Sequence, residues 1–425
     1  MQKYNVVVVG GGFAGAGAAL AAAREGKKVL LIEQSGALGG AAVNSLVMPY
    51  MPFYTTVLKS DGTYERKFLT RGIFEEINKR LSISNKYNVV DDFANFDSEY
   101  LKIVLDRMMK EYGADVLFHT TLCDVEKTGR KINAVEVVSV AGKLKIEADC
   151  FVDATGDANL SAFAGCEFNL GREEDNLCQP MTLCFRVSNV CYEDFIKQKP
   201  EILKLYREYQ AEGKIKNPRE NVLTFKPLVD NMVHFNSTRI VKMNPTDPFD
   251  LSRAEIEARE QMLELFNFLR DNFSSFENAQ IAISASSIGV RESRMVKGEY
   301  CLTSDEILST KKFDTAIAAG NYDIDIHNPE GSGTSHFFFK AGEYYTIPYG
   351  SIVAKDCDNL FVAGRCISCD HETQASIRIM PICCSTGEAA GVAAALLSQN
   401  GGRAKDLNVK NVQDILIRNG AFIID

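Results

Sequence analysis

The chain has 425 residues, with 47 Lys and Arg against 56 Asp and Glu, a formal net charge of −9. At 46% hydrophobic and 24% charged, the composition is that of a globular protein of two to three domains, which excludes disorder, collagen and coiled coil. The acidic balance speaks against a general nucleic-acid binder, which needs a basic footprint, and no apolar run reads as long enough for a membrane span.

A strand opening at Tyr4 leaves no room for a signal peptide, so the expectation is a cytoplasmic protein whose twelve cysteines are reduced. Val6-Val7-Val8-Val9 is a continuous β-branched run, as a strand buried on both faces requires. It ends at Gly10-Gly11-Gly12. A small-residue helix over 13–25 follows, stopped by Gly26, and Val29-Leu30-Leu31-Ile32 is the next strand. This βαβ unit sets the class as α/β with a parallel, Rossmann-like sheet.

Helices are predicted over 71–81 and 98–112, the second opened by Asp97, Ser98 and Glu99 and closed by Gly113. Strand-like runs follow at 116–118, 122–125, 132–138 and 144–146. Cys150-Phe151-Val152 reads as a further buried strand. The middle of the chain mixes an alternating run over 182–187 with charged helices. Ser252-Arg253-Ala254-Glu255 reads as a capping box. Met262, Leu265, Phe266, Leu269 and Phe273 then share one helical face, a core stripe. After Tyr349 the buried α/β character returns, with a strand at 360–363 and an Ala-rich helix from Pro381 to about Ser398. The expected plan is a nucleotide domain (1–165 and 346–425) split by an inserted α+β capping domain (166–345).

Gly10-Gly11-Gly12-Phe13-Ala14-Gly15 matches G-x-G-x-x-G after a strand and at a helix start, and Glu33 ends the next strand about 20 residues on. Gly10 permits the tight turn, Gly12 lets backbone approach a pyrophosphate, and Gly15 lets helix and strand pack closely. The helix N-terminus offers unpaired N–H groups. Glu33 can accept from a ribose diol, and its charge disfavours a 2′-phosphate. NAD and FAD are not separated by this motif. Three later features point to FAD: the small-residue run Gly36 to Ala42, the strand end Ala154-Thr155-Gly156-Asp157, and Gly364-Arg365 followed by Arg378-Ile379-Met380-Pro381. A helix opening at Pro381 aims its positive end at what lies before it.

Here the sequence resembles the FAD-dependent oxidoreductases of glutathione-reductase-like fold. More narrowly it resembles a bacterial family carrying GxRESRR…GEY.LT, NLFVAGRCIS and QASIRxMPxC…G.AAG. In this chain those segments lie at 289–303, 359–368 and 374–391. Some members of that family are labelled xanthan lyases, and fumarate reductase and succinate dehydrogenase flavoproteins are distant relatives. The resemblance implies a flavoprotein whose cofactor is held by Gly10, Gly12, Phe13, Ala14 and Gly15, with Glu33 and Gln34 at the ribose. It implies Gly39, Gly40 and Ala41, Cys123 near adenine, and Ala154, Thr155 and Gly156. Gly364, Arg365, Met380, Pro381 and Cys383 complete the site. A second G-x-G-x-x-G is missing, as is the His-Pro-Thr segment of fumarate reductases, and no histidine lies over 39–45. The FAD is therefore expected to be non-covalent, and neither the disulfide-reductase nor the fumarate-reductase reaction carries over.

A flavin carries the redox chemistry, so the protein must position a substrate. Arg291 and Arg294 offer guanidinium groups suited to an oxyanion, or else form a local salt-bridge set. His327, His336 and His371 are three of five histidines, each a general acid–base or a structural group. His371 lies between Arg365 and Arg378. Tyr344, Tyr345 and Tyr349 read as aromatic packing. Cys366-x-x-Cys369 and Cys383-Cys384 are read as buried or cofactor-packing thiols, with a redox dithiol as the sharper alternative, and no metal site is expected. The function expected is an FAD-dependent oxidoreductase exchanging a hydride with a small-molecule substrate. The alternatives are an electron-transfer flavoprotein docking a redox partner protein, or a non-redox lyase-type enzyme retaining FAD.

Overall fold

The computed structural model describes residues 3–85 and 95–424. β1 (Lys3–Val9), α1 (Phe13–Arg24) and β2 (Val29–Ile32) form the expected βαβ unit, with the two strands parallel and Val6 level with Val29. They sit within a seven-stranded sheet. Its order is Asp115–Leu117, β2, β1, Gly142–Asp153, Lys131–Ser139 and Thr121–Thr128, with Leu360–Val362 also pairing to Gly142–Asp153. The middle of the sheet is parallel, and the meander from 121 to 153 adds an antiparallel edge.

Gly142–Asp153 is one strand of twelve residues, where the sequence reads as two. Its first half alternates and is half-solvated, while its last residues are buried on both faces. A change of neighbours along one strand therefore looks, in sequence, like a break between two.

A helical layer covers the sheet. α1 lies against the helix Met380–Asn400, and the approach is set by glycines. A Cβ on Gly387 would stand 2.0 Å from the carbonyl oxygen of Ala14, and one on Gly391 would stand 2.2 Å from that of Ala18. Because Ala14 meets Gly387 and Ala18 meets Gly391, the two helices run parallel and present their N-termini to the same side. The helix expected over 381–398 spans Met380–Asn400; contrary to the sequence expectation it is long and apolar enough to cross a membrane, and 83% of its most apolar stretch is buried inside the protein. Burial of an apolar helix all round is what a core helix between other layers needs.

A second core lies beyond this one. Phe185–Ser188, Met232–Phe235, Thr224–Phe225 and Gln280–Ser284 form a four-stranded antiparallel sheet. The helices Tyr192–Ala211 and Pro248–Asn272 pack on it. Phe185 and Phe235 stack with ring centroids 4.8 Å apart. Leu265, Phe266, Leu269 and Phe273 enter this core with Met262 against it, as the helical stripe predicts.

Three sequence expectations change here. The long helix opens at Pro248, not at Ser252. Asp247 caps it, accepting from the N–H groups of Phe249 and Asp250, each at 2.9 Å. Ser252 lies one turn inside and donates to the Pro248 carbonyl at 2.6 Å, because an Asp-Pro pair outcompetes a serine further on. In the 182–187 run, only Phe185–Ser188 is a strand, while Met181 and Thr182 make isolated bridges to Ile240 and Gly289. Lastly, Met295, Val296, Leu302, Ile317, Tyr345 and Ile347 belong to the large core with the seven-stranded sheet. The segment after 294 thus packs with the nucleotide-binding side rather than with the second core.

Candidate functional site

β1 ends at a turn whose first and last glycines admit no side chain. Gly10 has φ +100°, and a Cβ there would lie 2.4 Å from the Ala154 carbonyl oxygen. A Cβ on Gly15 would lie 1.7 Å from the Gly10 carbonyl oxygen. Gly12 differs, because the nearest atom to a Cβ there is the Gly40 Cα at 3.9 Å. The space over Gly12 is open, α1 has no side-chain cap, and its first turn holds no acidic residue. An uncapped helix N-terminus beside an open cradle is the arrangement that accepts a phosphate.

Glu33 lies under that turn. Its Oε2 accepts from the Gly11 N–H at 2.6 Å and its Oε1 from the Ser35 N–H at 2.8 Å, which leaves lone pairs on both oxygens. Gln34 beside it is exposed. The Gly39 N–H donates to the Gly11 carbonyl at 2.8 Å, so Gly39, Gly40 and Ala41 run alongside the turn. The N–H of Thr120 donates to the Glu33 carbonyl. That contact brings the strand carrying Cys123 to the same edge; the Cys123 thiol donates to the Glu136 carbonyl at 3.4 Å.

The loop Ala154–Asp157 is pinned from below by Asp153, which the sequence reading passed over. Its buried carboxylate accepts from the N–H and hydroxyl of Thr155, at 3.1 and 2.7 Å, and from both donors of Ser161 at 2.7 Å. Burial nonetheless raises the Asp153 carboxyl above its ordinary value. From above, Arg365 donates to the Gly156 carbonyl at 2.8 Å and pairs with Asp157 at 2.6 Å. Arg294 donates to the Asp157 carbonyl at 2.9 Å and to Asn159 at 3.1 Å. Arg294 thus braces this loop.

Gly364, at φ +85°, closes against Ala14, where a Cβ would meet the alanine Cβ at 3.0 Å. Met380 and Pro381 open the helix that runs parallel to α1, again with no side-chain cap and no acidic residue in the first turn. The Cys383 thiol donates to the Arg378 carbonyl at 3.2 Å, and burial pushes it up to about 12. All twelve cysteines are free thiols. Cys366 donates to the Ala363 carbonyl and Cys369 faces the Met295 sulfur. Burial raises both well above the ordinary thiol range, so neither is a thiolate at neutral pH. Among the described residues no cluster could hold a metal.

A cavity of about 360 Å³ opens beside these segments. Ala41, Arg365 and Met380 line one wall, and Thr182, Arg219 and Arg291 line the other. Arg291 donates to the Pro180 carbonyl and to the Thr182 hydroxyl at 2.6 Å. Burial, then Arg378 and Arg219 nearby, push its guanidinium down to about 9, still cationic at neutral pH. Arg291 and Arg294, three residues apart, therefore serve different places.

The histidines divide in the same way. His371 does not line the cavity. Its Nδ1 lies 2.6 Å from the fully buried carboxylate of Glu292, whose other oxygen accepts from the Gln179 N–H. Burial lowers the His371 pKa, but the bond to Glu292 and its charge outweigh that and raise it. His327 does line the cavity, with both nitrogens engaged. Arg239 Nη2 is 2.9 Å from its Nδ1, and Asp325 Oδ2 is 3.3 Å from its Nε2. A guanidinium can only donate, so Nδ1 accepts and the ring proton is assigned to Nε2, toward Asp325. Burial and the surrounding arginines hold His327 well below its ordinary value, hence neutral. His336 also lines the cavity, with Nδ1 2.8 Å from Asp323 Oδ2.

Tyr345 and Tyr349 are structural, bonded to Ser376 at 2.6 Å and to the Ala404 carbonyl at 2.7 Å. Arg219, Arg239, Tyr322 and Asp325 were not singled out from sequence. They lie outside the segments that carry the family resemblance, as isolated residues that only the fold assembles.

The chain matches, over residues 5–416, the family model described as "FAD dependent oxidoreductase". It is 37% identical over 67 residues to the soluble pyridine nucleotide transhydrogenases of Mycobacterium bovis and Mycobacterium tuberculosis. Those matches take in 16% of this chain and 14% of each relative's length. Among solved structures it is similar to a geranylgeranyl bacteriochlorophyll reductase-like protein from Thermoplasma acidophilum. That match has a TM-score of 0.44 and 12% identity, covering 99% of this chain and 85% of that one. It is also similar to p-nitrophenol 4-monooxygenase from Pseudomonas putida DLL-E4, with a TM-score of 0.45 and 10% identity over 98% and 84%.

Proposed function

The chain belongs to the FAD dependent oxidoreductase family and FAD is its cofactor, and from this premise we propose that it exchanges a hydride with a small organic substrate held in the cavity. The observation that carries this reading is the cavity's composition. One wall is built by segments of the glycine-rich nucleotide site, and the other by charged side chains that converge on the same space.

Gly10, Gly12, Phe13, Ala14 and Gly15 would hold the pyrophosphate, and Glu33 and Gln34 the ribose, with Cys123 beside the adenine. Gly39 to Ala41, Ala154 to Gly156, Gly364, Arg365, Met380, Pro381 and Cys383 would surround the rest, without covalent attachment. When bound, FAD would supply two-electron redox chemistry at its N5. Arg291 orients the substrate from the facing wall. Arg294 and His371 act at a distance, holding the 154–159 loop and the Glu292 segment. His327 is a positioning residue, since its acceptor nitrogen is filled by Arg239. The geometry for moving a proton belongs to His336, whose Nδ1–H is fixed on Asp323 so that Nε2 can act as the base. The covering unit in this reading is the second core with its four-stranded sheet, placed in a cytoplasmic protein.

Visible absorption of the purified protein, repeated on the supernatant after denaturation, tests the premise, with released FAD expected. Anaerobic photoreduction followed by mixing with small organic acceptors tests the reaction, and reoxidation by at least one of them is expected. Reoxidation only by a protein partner would favour the electron-transfer alternative. Turnover with a redox-dead flavin analogue would favour the lyase-type one. A colourless protein that FAD does not reconstitute overturns the reading.

A further inference from the structure

Five arginines stand in or behind the cavity, and three are neutralised by the protein itself. Arg365 pairs with Asp157 at 2.6 Å, Arg239 with Glu220 at 3.2 Å, and Arg378 with Asp325 at 3.4 Å. Arg219 and Arg291 are different, because among the described residues neither forms an ion pair. Arg219 is only 3% exposed and lines the cavity. Its Nε reaches only the Asn221 side-chain oxygen, at 3.3 Å, and its Nη1 is buried with no hydrogen-bond partner. The Nη1 of Arg291 is held by Pro180 and Thr182, while its Nη2 has only Asn236, at 3.5 Å.

A buried guanidinium without a counter-charge is costly, and a buried donor without an acceptor adds to the cost. Folded proteins keep such a pair where a ligand supplies what is missing. We propose that Arg219 and Arg291 form the recognition site for the carboxylate of a small anionic substrate, which bridges the two guanidinium groups inside the cavity.

The planar fork of arginine matches a carboxylate through paired N–H···O bonds. Asp325 and Glu220, paired with Arg378 and Arg239, also line the cavity and temper its positive potential, so a singly charged carboxylate is assigned in preference to a phosphate dianion. The assignment rests on the cavity's being the substrate site of the proposed oxidoreductase, and it deepens that reading by naming the chemical class of the substrate.

The test uses the FAD-loaded full chain with acetate, lactate, benzoate and inorganic phosphate as probes. Two signals are read: perturbation of the visible flavin band, and the rise in Tm, which reports binding with or without flavin. At least one carboxylate should produce saturable changes that phosphate does not. Arg219→Met should weaken that carboxylate ~10-fold or more, the loss expected for a charge-assisted bidentate contact. It also removes an unpaired buried charge, so its Tm without ligand should hold or rise. Arg219→Lys, which keeps the charge and loses the fork, should bind weakly too, and it serves if the Met variant does not fold. Saturable binding of phosphate alone, or carboxylate binding unchanged in both variants, overturns the proposal. No response to any carboxylate in a protein that holds FAD and is reduced by light overturns the carboxylate assignment and leaves the oxidoreductase reading standing. Absence of FAD overturns the latter instead, while the Tm signal still decides on the carboxylate.

Discussion

The two walls of the cavity offer a ligand opposite kinds of surface. On the nucleotide side the working surface is backbone: the Gly10–Gly15 turn, the Gly39–Gly40 segment and two uncapped helix N-termini. Side chains there are excluded by contacts as short as 1.7 Å to a built Cβ. On the facing side the working surface is side chain. Arg219, Arg291, His327 and Asp325 reach in from three different segments, and the backbone behind them is ordinary strand and loop. A backbone site is intolerant of added atoms wherever its glycines are in close contact. A side-chain site tolerates changes of shape but depends on a balance of charges. The first kind should fail by sterics, the second by electrostatics.

The sharpest break is expected at the first wall. Gly15→Val drives a side chain into the Gly10 carbonyl, and should cost several kcal/mol and abolish flavin retention. Gly12→Leu should also lose the flavin, with the Tm of the flavin-free protein nearly unchanged, since a Cβ there meets nothing closer than 3.9 Å. Equal losses of Tm in the two variants would show that the open space over Gly12 is structural rather than a cradle.

Behind the second wall, Glu292→Gln breaks the buried pair with His371 and should cost about 3 kcal/mol by urea unfolding. The sign of its pH dependence follows from the raised His371 pKa. The folded protein holds this proton more tightly than the unfolded chain. The pair's contribution is therefore full below the ordinary histidine value of about 6.5, and is lost as pH rises through the raised folded value. The stability difference between wild type and Glu292→Gln should shrink over that window, and a constant difference would place the proton elsewhere.

For the proposed proton transfer, Asp323→Asn removes the carboxylate that orients His336. It should slow substrate-dependent flavin reoxidation ~10²-fold while flavin content stays normal. The smallest effects lie farthest from either wall. Asp247→Ala should cost about 1 kcal/mol by removing a helix cap, and Ser252→Ala less than about 0.5 kcal/mol, measured as shifts in Tm. The reverse order would restore Ser252 as the cap.

Most of the glycine-rich wall was legible in the sequence. Its physics is local: a strand, three glycines, a helix and an acid about 20 residues on are all fixed by spacing along one chain segment. The core stripe of the long inner helix was legible for the same reason. Its start was misread because Ser252 and Glu255 satisfy a pattern that the Asp247–Pro248 pair pre-empts. The pairing of Gly387 and Gly391 with α1 needed the fold, since a glycine inside a helix does not say which neighbour it admits.

The facing wall was legible only as residue types. Arg291 and Arg294 read as equivalent donors, and the structure sends one into the cavity and the other onto the Asp157 loop. His327 and His371 read as acid–base candidates, and tertiary partners fill the nitrogens of the first and pair the second with a buried carboxylate. By itself the sequence determined the α/β class, the glycine-rich turn and the acid at its edge, because each depends on neighbours within a few tens of residues. Only the tertiary structure decided which arginines are neutralised and which stay unpaired, because a charge acquires its partner across the fold.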